Sequence, residues 1–233
     1  MKENNPSMVK KILIRLLVLT VAVAIYSCEK KSKKTDPAVA KLEVKALTEQ
    51  GTLHDGDIIF QTSASQQSKA IQAATHSKYS HCGLLFRADT GAKNWYVIEA
   101  VQPVKWTPLD AWISKGEGGH YVIKRLALDP PLPLQMMSEL HAIAQTYIGK
   151  DYDLFFGWGD DRIYCSELVW KCYYRLNKFE LGQLQELQEF DLSNPLVQKK
   201  MQQRYGEKIP LHEKVISPVA IFNCTALETV TDK

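Results

Sequence analysis

The apolar residues of this chain change rhythm near its middle, and that change limits the folds open to it. From Asp57 to Leu126 they come in short runs bounded by turn residues: Asp57-Ile58-Ile59-Phe60 after the turn His54-Asp55-Gly56, then His81–Phe86, Trp95–Ala100 and Tyr121–Leu126. Runs of that length and composition predict strands, and Asp89-Thr90-Gly91 predicts a hairpin turn between the second and third. The polar stretch 64–76, with Ala70, Ile71 and Ala74 at helical spacing, predicts a short surface helix. After the Pro-rich segment 129–133 the spacing turns helical throughout. Met136, Met137, Leu140, Ile143, Ala144 and Tyr147 form one stripe that Gly149 ends, and Leu168, Val169, Cys172, Tyr173 and Leu176 form another starting near Cys165. Residues 41–49 predict a further short helix, and the Gln/Glu-rich residues 180–206 a loosely helical surface excursion. Strands first and helices after predict an α+β domain.

The first 34 residues belong to a different class of segment. They hold eight of the 29 basic residues and two of the 26 acidic ones, leaving 21 basic against 24 acidic for the rest. A globular part of that sign has no general attraction to phosphate backbones, so nucleic acid is not an expected partner. Lys10, Lys11 and Arg15 precede an uncharged run from Leu16 to Ser27, too short to cross a hydrocarbon core of about 30 Å. A basic leader and short apolar run predict a secretory signal over 1–27. The run ends Ile25-Tyr26-Ser27-Cys28, which resembles a bacterial lipobox with Cys28 as the lipidated residue. Residues 28–39 then read as a flexible tether and 40–233 as the folded domain. The expected location is the bacterial cell envelope, as a membrane-anchored lipoprotein facing the periplasm.

Besides Cys28 the chain has Cys82, Cys165, Cys172 and Cys224, with no CxxC pair and no HExxH. No metal and no cofactor are expected. Cys165 enters a helix after the turn Gly157-Trp158-Gly159-Asp160-Asp161, where helix amides stabilise a thiolate. A thiol nucleophile needs a base and a group to orient it. His81 starts a core strand, and with Thr90 at the centre of the hairpin it faces Glu99, a carboxylate in an otherwise apolar strand. Each of the three also has an ordinary structural role open to it. Cys82 and Cys172 read as core residues.

The segment from Gly149-Lys150-Asp151-Tyr152 to Tyr164-Cys165-Ser166 resembles the nucleophile segment of NlpC-like cysteine peptidases. The His-bearing strand precedes the Cys, however. That order, with GDIIF (56–60), QSKAIQAAT (67–75), YSHCGLLF (79–86), YVIEA (96–100), YCSELV (164–169) and the late Ile216-Ser217-Pro218, is similar to circularly permuted papain-like amidases of the YiiX/YaeF type. The resemblance implies a small antiparallel sheet or half-barrel packed against helices, with the nucleophile at a helix N-terminus. It implies Cys165 as nucleophile, His81 as base and Glu99 as the residue orienting it. Tyr152 is implied near the oxyanion or substrate, and Tyr164 adjoins the nucleophile. Residues 177–210 match nothing in that pattern; capping the cleft is one role open to them, and they leave the substrate undetermined.

The expected function is a cysteine amidase or peptidase using Cys165, His81 and Glu99 on a small peptide or amide, such as a cell-wall peptide or an N-acyl amino acid. Two alternatives stand beside it. One is a lipid acyl hydrolase or acyltransferase of the lecithin retinol acyltransferase-like type, which an apolar cleft would favour. The other is a peptide-binding lipoprotein without catalysis.

Overall fold

Ile58, Ile59 and Phe60 are all fully buried, although successive side chains of a strand point to opposite faces of its sheet. Both faces of that sheet are therefore covered. The computed structural model describes residues 34–63, 65–88 and 94–233. The signal over 1–27, Cys28, the tether as far as residue 33 and the turn Asp89-Thr90-Gly91 lie outside them.

The elements run α1 (Pro37–Glu49), β1 (Ile58–Ser63), α2 (Gln66–Thr75), β2 (His81–Arg87), β3 (Trp95–Glu99), β4 (Lys105–Pro108), α3 (Leu109–Lys115), β5 (Gly116–Leu126) and α4 (Leu134–Gln145). There follow β6 (Asp151–Tyr152), β7 (Arg162–Ile163), α5 (Cys165–Asn177), β8 (Gln185–Glu186), α6 (Pro195–Tyr205), β9 (Lys214–Val215), α7 (Pro218–Phe222) and β10 (Leu227–Asp232). Six strands make one antiparallel sheet in the order β10-β5-β1-β2-β3-β4. Ile58, Phe60, Leu84, Phe86 and Ile98 pack with Leu140 of α4 and Leu168 of α5. Ile59, Leu85, Val97 and Ile123 pack on the other face with Leu47 of α1 and Trp112 of α3. The α+β class is that expected; the uninterrupted apolar runs arise because helices cover the sheet twice over.

Helix α1 begins at Pro37, before the expected residue 41. Asp36 accepts the Ala38 N–H at 2.8 Å and Pro37 presets the first helical residue, so Asp-Pro starts the helix within the last residues of the expected tether. Eight elements were not expected: β4, α3, β6, β7, β8, β9, α7 and β10. The 180–206 stretch is also more built than a surface excursion. Asn194 caps α6 through Leu196 N–H at 2.9 Å, and Leu187, Val197 and Met201 are buried.

Candidate active site

The helix bearing Cys165 is anchored at its first turn. Tyr164 is its extended N-cap residue, and the Glu167 carboxylate accepts the Tyr164 N–H at 3.3 Å. Glu167 is fully buried and lies 2.7 Å from Lys171 Nζ one turn on. Burial raises its carboxyl to about 7 against the pull of Lys171. The same Lys171 donates to Gly159 O at 2.7 Å and Asp160 Oδ1 at 3.0 Å. The Gly- and Asp-rich turn before the cysteine is thus tied to the helix it precedes. From the other side, Ser166 Oγ donates to Ile216 O at 2.7 Å and Ile216 N–H to the Tyr164 hydroxyl at 3.0 Å. The late Ile-Ser-Pro element therefore closes directly on the Tyr-Cys-Ser element, and Ser217 goes on to cap α7.

His81 opens β2, and its Nε2 lies 2.6 Å from Glu99 Oε2. Glu99 is 2% exposed; its other oxygen accepts Thr107 Oγ1 at 2.6 Å, with Lys115 Nζ 3.6 Å away. The ring of Trp112 stacks on the imidazole at 5.8 Å between centroids. The hairpin register differs from that expected. Leu84 faces Ile98 and Arg87 faces Trp95, a shift of two residues from a hairpin centred on Thr90. His81 and Glu99 are hence diagonal neighbours, not directly opposed. Side chains alternate with a period of two, so a two-residue shift leaves both on one face, within reach of long side chains.

Burial works against charge on both partners, and the pair overcomes it. Glu99 is held at about 2 by its hydrogen bond and proximity to His81, then by Thr107 and Lys115. His81, which burial alone would lower, is raised to about 10 by Cys165 and Glu99. The Cys165 thiol sits well below its ordinary value. The largest cause is a hydrogen bond from the Cys82 thiol; His81 then adds its own hydrogen bond and charge against the opposing effect of burial. Cys82, expected only in the core, is indeed fully buried but also neighbours Cys165; burial and the charge of Cys165 push its own thiol up. Cys172 is buried on the apolar face of α5, and burial raises its thiol.

The short parallel pair β6–β7 sets Tyr152 beside Ile163, two residues before the cysteine. This is why a Gly-x-x-Tyr element can lie a dozen residues upstream and still reach the site. The Tyr152 hydroxyl accepts Gln67 Nε2 at 2.8 Å, and burial, then the charge of Cys165, push its phenol far up. Tyr164 is buried beside Cys165, its hydroxyl spent on Ile216 N–H and its ring edge-on to Phe156 at 5.2 Å. A narrow cavity of about 70 Å³ opens beside Cys165, walled by Ile71, Phe190, Leu192, Val197, Met201 and Val215. The 180–206 stretch thus forms one wall of the cavity. Sequence reasoning missed Thr107, Lys115, Trp112, Gln67 and Arg204. Only Trp112 gave a signal, in the helical spacing of Leu109, Trp112 and Ile113.

A family model described as permuted papain-like amidase enzyme, YaeF/YiiX, C92 family matches residues 52–231. The uncharacterized protein YiiX of Escherichia coli (strain K12) is 51% identical over 175 residues, covering 75% of this chain and 84% of that one. A crystal structure from Escherichia coli O157:H7, described as metalloprotein yiiX, superposes with a TM-score of 0.73 at 51% identity, covering 78% of this chain and 98% of that one. Among the described residues no three His, Cys, Asp or Glu side chains come together as a metal-binding group, and His81 spends Nε2 on Glu99, so this donor set does not fit a metal site. By the extent of the family match and the identity to its relatives, this chain belongs to the permuted papain-like amidase family of the YaeF/YiiX type.

Proposed function

We propose that the protein is an envelope-anchored cysteine hydrolase in which Cys165 is the nucleophile, His81 the general base and acid, and Glu99 the residue that orients His81. The observation that carries this reading is the 2.6 Å Glu99–His81 contact beside a helix-start cysteine whose thiol is held low. Glu99 occupies Nε2 and leaves Nδ1 for the thiol. The Cys165 thiolate forms an S–C bond to the substrate carbonyl, and first-turn N–H groups of α5, with the protonated Tyr152 hydroxyl, stabilise the oxyanion. The C–N bond breaks as the amine takes the proton of His81, leaving a thioester. His81 then takes a proton from water, which attacks the thioester and restores the thiolate.

The apolar wall of the cavity supports a second reading, in which the bond cleaved joins an aliphatic acyl group to an alcohol, as in a lipid ester. Both readings place the acyl chain in the cavity and share the thioester. Octanoyl-4-nitroanilide and 4-nitrophenyl octanoate compare the amide with the ester. Cys165→Ala is expected to abolish release from whichever is cleaved, and wild type to show an octanoyl mass increment on Cys165. Release that survives Cys165→Ala in the purified protein would overturn the assignment. The envelope part of the proposal rests on a lipid at Cys28, outside the described residues.

A further inference from the structure

One face of α6 looks into the cavity beside Cys165, and it carries Val197, Lys200, Met201 and Arg204 at helical spacing. Val197 and Met201 are the apolar wall. Lys200 and Arg204 are half-buried cations, and no carboxylate lines the cavity among the described residues. Neither makes an ion pair within 4.0 Å with a described Asp or Glu. A cation withdrawn from water without a counter-charge is costly unless something else supplies one.

Arg204 is also held in place. Its Nη2 donates to Gln67 Oε1 at 2.8 Å, and its guanidinium lies over the Phe156 ring at 5.1 Å. The same Gln67 amide donates through Nε2 to the Tyr152 hydroxyl at 2.8 Å, which reaches the sulfur of Cys165. A positioned guanidinium with donors to spare, two hydrogen bonds from a tyrosine at the nucleophile, matches the geometry that recognises a carboxylate or phosphate.

We infer that Arg204, with Lys200 one turn before it, binds an anionic group of the substrate, so that the cavity takes an amphiphile: an aliphatic chain against Val197 and Met201, and a carboxylate or phosphate at Arg204. Calling that amphiphile a substrate rests on the cysteine-hydrolase reading; its binding does not. The short link from Arg204 to Cys165 places the charge close to the bond that reacts, which fits an acylated amino acid with a free carboxylate or an acylated phosphoester.

Calorimetric titration of the full chain with octanoate, octyl phosphate and the uncharged octanamide tests this. Both anions, or one of them, are expected to bind at least tenfold more tightly than octanamide; the tighter anion identifies carboxylate or phosphate as the group read. Arg204→Gln is expected to remove the preference while leaving octanamide affinity unchanged, and Arg204→Lys to restore part of it. Equal affinity for octanamide and both anions in wild type would overturn the inference, and so would an Arg204→Gln loss that falls equally on the charged and neutral ligands. Cys165→Ala is expected to keep the anion preference. An anion preference without Cys165-dependent turnover would remove the hydrolase reading alone, and Cys165-dependent turnover without the preference would remove this inference alone.

Discussion

Glu99 has two oxygens and each is committed, one to His81 and the other to Thr107, with Lys115 nearby. Replacing it by Gln keeps the shape and removes the charge that favours imidazolium. The Cys165 thiolate should then titrate at higher pH by about one to two units, the worth of a charged hydrogen bond of about 1.5–3 kcal/mol. Iodoacetamide labelling of Cys165 against pH measures this, with Cys82, Cys172 and Cys224 as internal references. His81→Ala should shift the profile at least as far, and the double variant should add little, because both act through one imidazole. The same substitution has a stability signature. Glu99 contributes stability that is complete above its ordinary 4.5 and lost as pH falls through about 2, and His81 contributes below 6.5 and loses it as pH rises through about 10. The gap in thermal midpoint between wild type and Glu99→Gln should therefore be widest between pH 4.5 and 6.5. A Cys165 profile unmoved in a folded Glu99→Gln protein would reduce the site to a Cys–His dyad. Glu99 was legible because a carboxylate in the apolar run Trp95–Ala100 demands a partner. Cys82 was not, since a buried thiol in a strand reads the same whether or not it faces another sulfur. Arg204 was hidden by its Gln-rich surroundings.

At the scale of elements, the site depends on how closely β3 lies against β2. Gly83 permits that approach: a Cβ there would fall 2.5 Å from Val97 Cγ1 and 2.7 Å from Ile98 O. The carbonyl belongs to the backbone of β3 and cannot rotate away, so Gly83→Ala must push the strand that carries Glu99. A loss of about 1–3 kcal/mol is expected from such overpacking. Urea unfolding should register it, and the Cys165 labelling profile should move upward along with it. An unchanged midpoint would mean that the two strands part without cost. The strands themselves were legible from apolar runs, and α4 and α5 from their stripes. The hairpin register was not, because the residues between β2 and β3 fix the pairing and many turns suit that spacing; only its parity was constrained by burial. β4 is short and carries Pro108, and β10 lies at the sheet edge with the polar sequence LETVTD, so neither gives an apolar run.

For the whole molecule, the class was readable because strands and helices occupy separate stretches of chain. The double coverage of the sheet was less readable, since α1 and α3 bury only a few residues each. No helix among the described residues is long and apolar enough to cross a membrane. In our proposal the basic leader, the short uncharged run and Cys28 at its end supply the attachment to a membrane. Eight residues carry the chain from Cys28 to Asp36, the cap of α1, a covalent reach of at most about 29 Å. A single acyl chain holds a protein only marginally, so two are expected, both carried by one diacylglyceryl group in thioether linkage to Cys28. A chain so tethered stays close to amphiphiles in the membrane surface, which joins this proposal to the apolar and cationic cavity. Mass spectrometry of the purified membrane form should find a mature N-terminus at Cys28 bearing a diacylglyceryl increment. Cys28→Ala should either stay unprocessed or appear in the soluble fraction, with Cys165 labelling as in wild type because the folded part is untouched. A wild-type mature chain that starts elsewhere and remains soluble would overturn the anchor while leaving the chemistry at Cys165 as proposed.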